Sequence, residues 1–198
     1  HVLCSPDRCP LHRDGCGLVT AIIPGQKGTY HHLQTVSRHY SRNRVRDNLL
    51  TPPHRSEGVF SFAEEHHVGM LISKPLGQGL LTGTHRTNAP RAFGEGDHRL
   101  RKRWFQPDAI EIINAGLDSV SAIVGPHTED LIRIALWGCL DRSPHAVALV
   151  GFTTPDQVAM NLGSLSPRPD AAEIAEAREI MAGIQARLDA AGETILMT

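Results

Sequence analysis

Two apolar segments, each followed by a loop rich in glycine or threonine, constrain the fold of this chain most strongly. Residues 69–75 form a short apolar run that ends at the loop of residues 76–83. Residues 146–151 form a second run, followed by the loop of residues 152–157. Short apolar runs bounded by turn residues are typical of buried strands. Each loop is predicted to lead from a strand into a helix, where backbone N–H groups are exposed to anions.

Helical patterns surround these two strands. Ser56 is predicted to cap a helix ahead of the first strand, and apolar side chains recur at helical spacing over residues 107–124. Further helices are predicted to begin with Thr128 as N-cap and with Pro155 in the first turn. Residues 170–190 form a last amphipathic pattern. Because strands and helices alternate, we expect parallel strands and an α/β fold.

The distribution of charge divides the chain at about residue 55. The formal net charge of the 198 residues is −1, yet residues 1–55 hold eight Lys or Arg against three Asp or Glu, and six of the twelve histidines. The sequence therefore predicts a divergent, basic and histidine-rich segment over residues 1–55 and a more regular unit over residues 56–198. The near-neutral total gives no reason to expect a nucleic-acid partner.

The sequence gives no indication of a membrane partner either. No apolar run approaches the roughly 20 residues that a membrane helix needs. A signal-peptide pattern, with a basic start, an apolar stretch and a small-residue cleavage site, is not found. The cytoplasm is therefore the expected location.

The motifs after residue 56 together resemble the C-terminal part of the aldo/keto reductase family. The resemblance covers about residues 57–197 and rests on the order of these stretches: Phe62-Ala63-Glu64-Glu65-His66, Lys74-Pro75-Leu76-Gly77-Gln78-Gly79-Leu80-Leu81-Thr82-Gly83, Gly96-Asp97-His98-Arg99, Arg133-Ile134-Ala135-Leu136 and Val150-Gly151-Phe152-Thr153-Thr154-Pro155-Asp156-Gln157 with Asn161-Leu162. It implies a (β/α)8, TIM-barrel-like fold, with the two apolar runs as its seventh and eighth strands. Since such a barrel needs about 250 residues, the implied fold is a partial or truncated barrel.

The resemblance also implies a cofactor, NADP(H) or NAD(H), bound across the carboxyl ends of the strands. Leu76, Gly77 and Gln78 would line its pyrophosphate, with Lys74 and Gly79 beside them. The adenosine and its 2′-phosphate would be surrounded by Phe152, Thr153, Thr154, Gln157 and Asn161. No arginine lies in residues 152–161, and the sequence does not distinguish NADH from NADPH.

The catalytic side chains of the family have no counterpart in the matched part. In the family a tyrosine hydroxyl protonates the substrate carbonyl, beside an aspartate, a lysine and a histidine, on strands that precede this part. The two tyrosines of the chain, Tyr30 and Tyr40, do not align, so no residue is assigned a catalytic role. Asp47 stands where the family has an aromatic residue against the nicotinamide, and residues 42–46 are too charged for an expected barrel strand.

Two functions from different classes stay open. The first is an NAD(P)(H)-binding oxidoreductase of the aldo/keto reductase type. The second is a non-catalytic or repurposed half-barrel that acts as an assembly or cofactor-sensing subunit. The sequence also leaves open whether the chain is a fragment, a degenerate gene product or a repurposed protein.

A half-barrel is expected to need a protein partner. It would expose its sheet edges and the apolar inner faces of Met70, Ile72, Val147 and Leu149. We therefore expect a homo-oligomer, with a two-fold dimer favoured, or a protein that supplies the missing half of the barrel.

Cysteines near the N-terminus form a second chemical feature. Cys4, Cys9, His12 and Cys16 fall within thirteen positions, and three cysteines with one histidine are a known ligand set for structural zinc. Free or disulfide-linked cysteines in a mobile terminus are the alternative. Cys139 lies in an apolar helical pattern and is predicted to be a core residue.

A basic loop follows the first glycine-rich loop. It contains Asp97-His98-Arg99 and then Arg101-Lys102-Arg103. On the expected substrate side of the barrel, such a loop either closes over a cofactor phosphate or remains a solvated surface loop.

Overall fold

The computed structural model describes residues 2–4, 44–66, 68–89 and 92–191. Its four strands in these ranges are β1 (Val2–Cys4), β2 (Arg44–Arg46), β3 (Met70–Ser73) and β4 (Ala146–Leu149). They form one sheet in the order β1-β4-β3-β2, in which β2, β3 and β4 are parallel and β1 is antiparallel to β4.

Helices follow and separate the parallel strands. The α-helices of the described ranges are α1 (Glu57–Glu65), α2 (Pro107–Val124), α3 (Thr128–Leu140), α4 (Pro155–Gly163) and α5 (Ala171–Ala190). Short 3-10 helices cover Pro53–Arg55, Gly77–Thr82, His98–Arg101 and Arg103–Phe105. The predicted α/β arrangement of parallel strands with flanking helices is confirmed.

One predicted N-cap differs in position, and another differs in the hydrogen bond that its side chain makes. The N-cap of α3 is His127, one residue before Thr128, and its backbone N–H donates to Asp130 Oδ2 at 3.1 Å. Ser56 is the N-cap residue of α1, as predicted, but its hydroxyl donates to Asp47 Oδ1 at 3.0 Å and makes no capping hydrogen bond to the helix. In both cases the N-cap residue donates a hydrogen bond to a nearby carboxylate.

The register between β3 and β4 decides which side chains face the helices. Met70 and Ile72 pack in one buried cluster with side chains of α1 and α3, namely Phe60, Ala63 and Cys139. Val147 pairs with Leu71 and therefore lies on the opposite face of the sheet. The prediction of an exposed inner face is wrong for Met70, Ile72 and Val147, which are only 1%, 0% and 3% exposed. Leu149 is half-buried and lines the cleft described below.

The charged segment before residue 47 is a strand, contrary to the expectation from its charge. β2 pairs in parallel with β3, and Val45 packs against the buried cluster of α1. Arg44 and Arg46 are exposed. Because β3 is the only described neighbour of β2, its arginines reach solvent at the edge of the described sheet.

The residues that follow β2 enter the core. Leu49 and Leu50 are 4% and 2% exposed, and a methyl group on Gly138 of α3 would lie 2.6 Å from Leu49 Cδ2. Residues 44–50 thus share a sheet and a core with the helices after residue 56. The division of the chain between residues 55 and 56 stays a prediction.

Helices α2 and α5 pack directly against each other in the main core. At Gly116 of α2 a Cβ would lie 2.4 Å from Ile184 Cγ1 of α5. The side chains buried around this contact include Ile113, Leu117, Val120, Ala177, Met181 and Leu188. Among the helices of the described residues, none combines the length and the apolar character that crossing a bilayer requires.

Candidate cofactor-binding cleft

A large cleft opens at the carboxyl ends of β3 and β4. Its volume is about 1360 Å3, above the roughly 300–1000 Å3 of ordinary small-molecule pockets. Its walls come from β2, the loop after β3, the basic loop, the start of α3 and the segment that joins β4 to α4. Ligands of sheets with this connectivity bind beyond the carboxyl ends of the strands, so the cleft is the candidate site.

The loop after β3 has a strained backbone. Lys74 and Gln78 have φ angles of 61° and 62°, in the left-handed region that residues with a Cβ rarely adopt. Gly79 has a φ angle of 97°, and a Cβ there would lie 3.1 Å from His85 Nε2. Asn48 holds this loop, because its Nδ2 donates to the Lys74 carbonyl oxygen at 3.1 Å. Strain fixed by its surroundings in this way is common at functional sites.

Backbone N–H groups of this loop already have acceptors. The Gly77 N–H donates to the Lys74 carbonyl oxygen and the Gly79 N–H to the Leu76 carbonyl oxygen, both at 2.9 Å. The sequence predicts that N–H groups of this loop are exposed to a phosphate. These two groups are instead used within the loop.

Side-chain oxygens at the start of α4 already accept hydrogen bonds from the nearby backbone N–H groups. The Thr153 N–H donates to Gln157 Oε1 at 2.7 Å, and the Gln157 N–H donates to Thr154 Oγ1 at 3.4 Å. Asn161 lies one turn further along α4 and is 5% exposed. A phosphate at this helix start would therefore compete with bonds that the helix already makes.

Positive charge gathers at the end of the cleft formed by β2 and the loop after β3. Burial, followed by the charges of Lys102, Arg46 and Arg44, lowers the pKa of Lys74. Burial and Arg46 likewise lower the pKa of Lys102. A lowered lysine pKa means that the charged form is disfavoured in its surroundings. An anion among these side chains would stabilise the charged forms, so this end suits a phosphate group.

The Gln78 side chain joins the two loops at this end. Lys102 Nζ donates to Gln78 Oε1 at 2.8 Å, and Gln78 Nε2 lies 3.1 Å from His98 Nε2. Because an amide nitrogen only donates, the His98 ring nitrogen is the acceptor of this bond. Gln78 thereby holds Lys102 beside the cleft.

The basic loop forms part of the cleft wall. Arg99 Nη2 donates to Asp97 Oδ2 at 2.6 Å, and the Arg99 guanidinium lies 4.3 Å from the centre of the Phe93 ring. The hydrogen bonds from Arg99 hold the pKa of Asp97 well below its usual range. Because His98 and Arg99 both line the cleft, the basic loop is part of the candidate site.

Most of the residues predicted from the resemblance meet at the cleft. Eight of the ten line it: Lys74, Leu76, Gln78, Gly79, Phe152, Thr153, Gln157 and Asn161. The other two do not line it: Gly77 is buried within the loop after β3, and the Thr154 hydroxyl accepts a hydrogen bond from the Gln157 N–H at the start of α4. Whether the eight bind a cofactor stays a prediction.

The predicted list of cofactor-binding residues leaves out three cations beside the cleft, namely Arg44, Arg99 and Lys102, although the basic loop that holds the last two is considered as a cover for a cofactor phosphate. The cluster of basic residues over 99–103 is a signal that identifies two of them. The charge of residues 42–46 argues against a strand and so hides Arg44. Its place at the cleft depends on strand pairing between distant segments, which the sequence does not display.

Asp47 points away from the cleft. It is 1% exposed, its Oδ2 lies 3.5 Å from Arg142 Nε, and it is not among the residues that line the cleft. Burial raises the pKa of Asp47, although Arg142, Arg178 and the hydrogen bond from Ser56 act in the opposite direction. The residue expected to replace an aromatic side chain at the nicotinamide therefore belongs to a buried polar cluster.

The predicted zinc ligands lie outside the described residues: Cys9, His12, Cys16 and the side chain of Cys4. In the ranges that the structure does describe, no three His, Cys, Asp or Glu side chains are placed to hold a metal ion. Cys139 is a buried, free cysteine, and burial raises the pKa of its thiol. Its predicted core position is confirmed.

Comparisons with known proteins identify both the fold and the family. Among solved structures, the glycerol dehydrogenase AKR11B4 from Gluconobacter oxydans is similar over 71% of this chain and 42% of its own, at 24% identity and a TM-score of 0.58. The holo form of the aldo-keto reductase AKR11C1 from Bacillus halodurans is similar over 71% of this chain and 41% of its own, at 24% identity and a TM-score of 0.41. A comparison with curated proteins gives no match.

The chain spans less than half the length of either structure. The likeness to the first one shows the fold, so the predicted partial (β/α)8 barrel is confirmed. The sequence model of the Aldo/keto reductase family matches residues 37–182, which include β2, β3, β4 and every helix from α1 to α4. The chain therefore belongs to the aldo/keto reductase family.

Proposed function

We propose that the cleft binds a nicotinamide dinucleotide and that the chain is the cofactor-binding unit of an NAD(P)(H)-dependent oxidoreductase. The observation that carries the proposal is the grouping of Arg44, Lys74 and Lys102 at one end of a 1360 Å3 cleft. A dinucleotide carries most of its negative charge on its diphosphate, so cationic side chains grouped in one part of a cleft of this volume match that group. When bound, the dinucleotide supplies or accepts a hydride at its nicotinamide ring.

Side chains, and not backbone N–H groups, would hold the diphosphate. Lys74 and Arg44 line the cleft, and Gln78 keeps Lys102 next to them. Charge-assisted contacts of this kind are about twice as strong as neutral hydrogen bonds. The adenosine would then lie along α4, at Thr153 and Asn161.

The proposal assigns binding, and not proton transfer, to the described residues. Both tyrosines of the chain, Tyr30 and Tyr40, lie outside them. We therefore expect no detectable reduction of simple aldehydes by this chain alone, because no general acid is assigned. Binding without turnover would also suit the alternative, a cofactor-sensing or assembly subunit.

Calorimetric titration of the whole chain with NADH tests the proposal. Lys74→Gln should raise the Kd about tenfold, or by about 1.4 kcal/mol, because it removes one charge from the diphosphate end. Arg101→Gln is the matched control, since Arg101 is an exposed cation of the neighbouring basic loop and does not line the cleft. It should change the Kd less than about twofold.

Three results would count against the proposal. The parent chain giving no heat with either NADH or NADPH refutes cofactor binding. Equal losses in Lys74→Gln and Arg101→Gln would mean that general charge attraction, and not this cleft, accounts for the binding. Robust aldehyde reduction by the parent chain would refute the assignment of cofactor binding without turnover.

A further inference from the structure

We infer that the cleft takes NAD(H) in preference to NADP(H), an inference that rests on the proposed function. The two cofactors differ by one phosphate on the adenosine ribose, which carries a charge of about −1.5 to −2 near neutral pH. Preference between them therefore depends on the charges and donors of the cleft where the adenosine lies.

Among the described residues that line the cleft, those of α4 and of the segment that joins β4 to α4 include no cation. Residues 151–161 contain no Lys or Arg, and Asp156 lies in the first turn of α4. Helix α3 packs against α4 and contributes Glu129 to the cleft lining. The cations that line the described cleft, Arg44, Lys74 and Arg99, come from other elements. Among the described residues, a 2′-phosphate at this end would meet the Glu129 carboxylate, and residues 151–161 offer it no guanidinium or ammonium group.

The helix start does not compensate for the missing cations. A phosphate at a helix N-terminus is normally held by free backbone N–H groups. Here the Thr153 N–H already donates to Gln157 Oε1 at 2.7 Å, and the Gln157 N–H is directed to Thr154 Oγ1. A 2′-phosphate would have to displace both bonds, whereas an uncharged ribose hydroxyl requires neither displacement nor a cation.

Parallel titrations of the whole chain with NADH and NADPH test the inference. They are run in the same buffer at the same pH and salt concentration, so that only the 2′-phosphate differs between them. The parent chain should bind NADH at least about tenfold more tightly than NADPH, because one unpaired phosphate contact is worth about 1.4 kcal/mol or more.

A single substitution should reverse much of this preference. Thr153 is exposed and lines the cleft, so Thr153→Arg places a cation beside the adenosine. It should lower the Kd for NADPH about tenfold more than the Kd for NADH, because only NADPH carries the 2′-phosphate. Thr153→Gln adds a polar side chain without charge and should leave the ratio of the two Kd values unchanged. Glu129→Gln, on another element, should also tighten NADPH binding selectively.

The outcomes separate this inference from the proposed function. NADPH binding as tightly as NADH to the parent chain would overturn the inference and leave cofactor binding intact. Heat with neither dinucleotide would overturn both. Thermal unfolding of each variant establishes that the titrated protein is folded, and failure of both Thr153→Arg and Glu129→Gln to favour NADPH would contradict the assigned role of charge.

Discussion

Asp47 is held between opposing electrostatic effects. Its carboxylate is 1% exposed, and within the described residues Asp47 Oδ2 and Arg142 Nε, 3.5 Å apart, lack hydrogen-bond partners. Burial disfavours the charged carboxylate more than Arg142, Arg178 and Ser56 favour it, so the pKa of Asp47 is raised. A cluster of this kind is sensitive to removal of either partner, because a buried charge is then left uncompensated.

The raised pKa of Asp47 predicts a pH dependence of stability. Between the unfolded and folded pKa values the folded state binds more protons, so this carboxyl makes the free energy of unfolding fall as pH rises. Asp47→Asn removes the titration. Urea unfolding at about pH 7 and about pH 4.5 should show the parent gaining stability relative to Asp47→Asn at the lower pH. A difference that does not change with pH would contradict the raised pKa.

At the scale of elements, the contact between α2 and α5 sets the spacing of the helices. A Cβ on Gly116 would lie 2.4 Å from Ile184 Cγ1 and 3.1 Å from Met181 Sδ. Gly116→Ala should therefore destabilise the protein by about 1–3 kcal/mol, although alanine favours helices. In α5, a Cβ on Gly183 meets nothing within 4 Å, so Gly183→Ala should stabilise it by about 0.5–1 kcal/mol.

Chemical unfolding of the two glycine variants measures both effects in one experiment. The pair is matched because each replaces a helical glycine by alanine and only the neighbouring side chains differ. Equal and stabilising effects would mean that α2 and α5 separate easily, and that the contact at Gly116 does not constrain them.

The elements that the sequence predicts best are those whose patterns are local. Helix α2 has the predicted bounds because its apolar side chains recur at helical spacing. The pairing of β2 with β3 and the orientation of Met70 depend on register between distant segments, which no local pattern displays. Strand β2 is missed because charge is tolerated at an edge.

The cleft also combines residues that local motifs predict with contacts that depend on distant segments. Family motifs place eight of ten predicted residues on its walls, since those motifs follow directly after strands. The bonds that occupy the Gly79 and Thr153 N–H groups depend on how each loop folds on itself. Lys102 reaches the site through Gln78, 24 positions away. Contacts between side chains so far apart require the folded structure.

At the scale of the whole molecule, the described sheet has an open edge beside an exposed apolar surface. Strand β2 pairs with β3 alone among the described strands. Val45 of β2 packs against the cluster that contains Phe60 of α1, so α1 lies next to this edge. On α1, Val59 and Phe62 are 44% and 53% exposed and share a helix face. An open edge and an apolar surface at one place favour association with another chain.

We propose that a second copy of the chain covers this surface in a two-fold dimer, because such an interface can bury both edges and both apolar patches with the same residues. Light scattering coupled to size exclusion should give twice the mass of one chain. Phe62→Glu should shift the protein toward the monomer, since it places two carboxylates in an apolar interface. Leu100→Glu, at a residue that is 50% exposed on the basic loop, should leave the dimer intact. A monodisperse monomer of the parent chain would contradict the proposed dimer. It would favour the alternative, a different protein that completes the barrel.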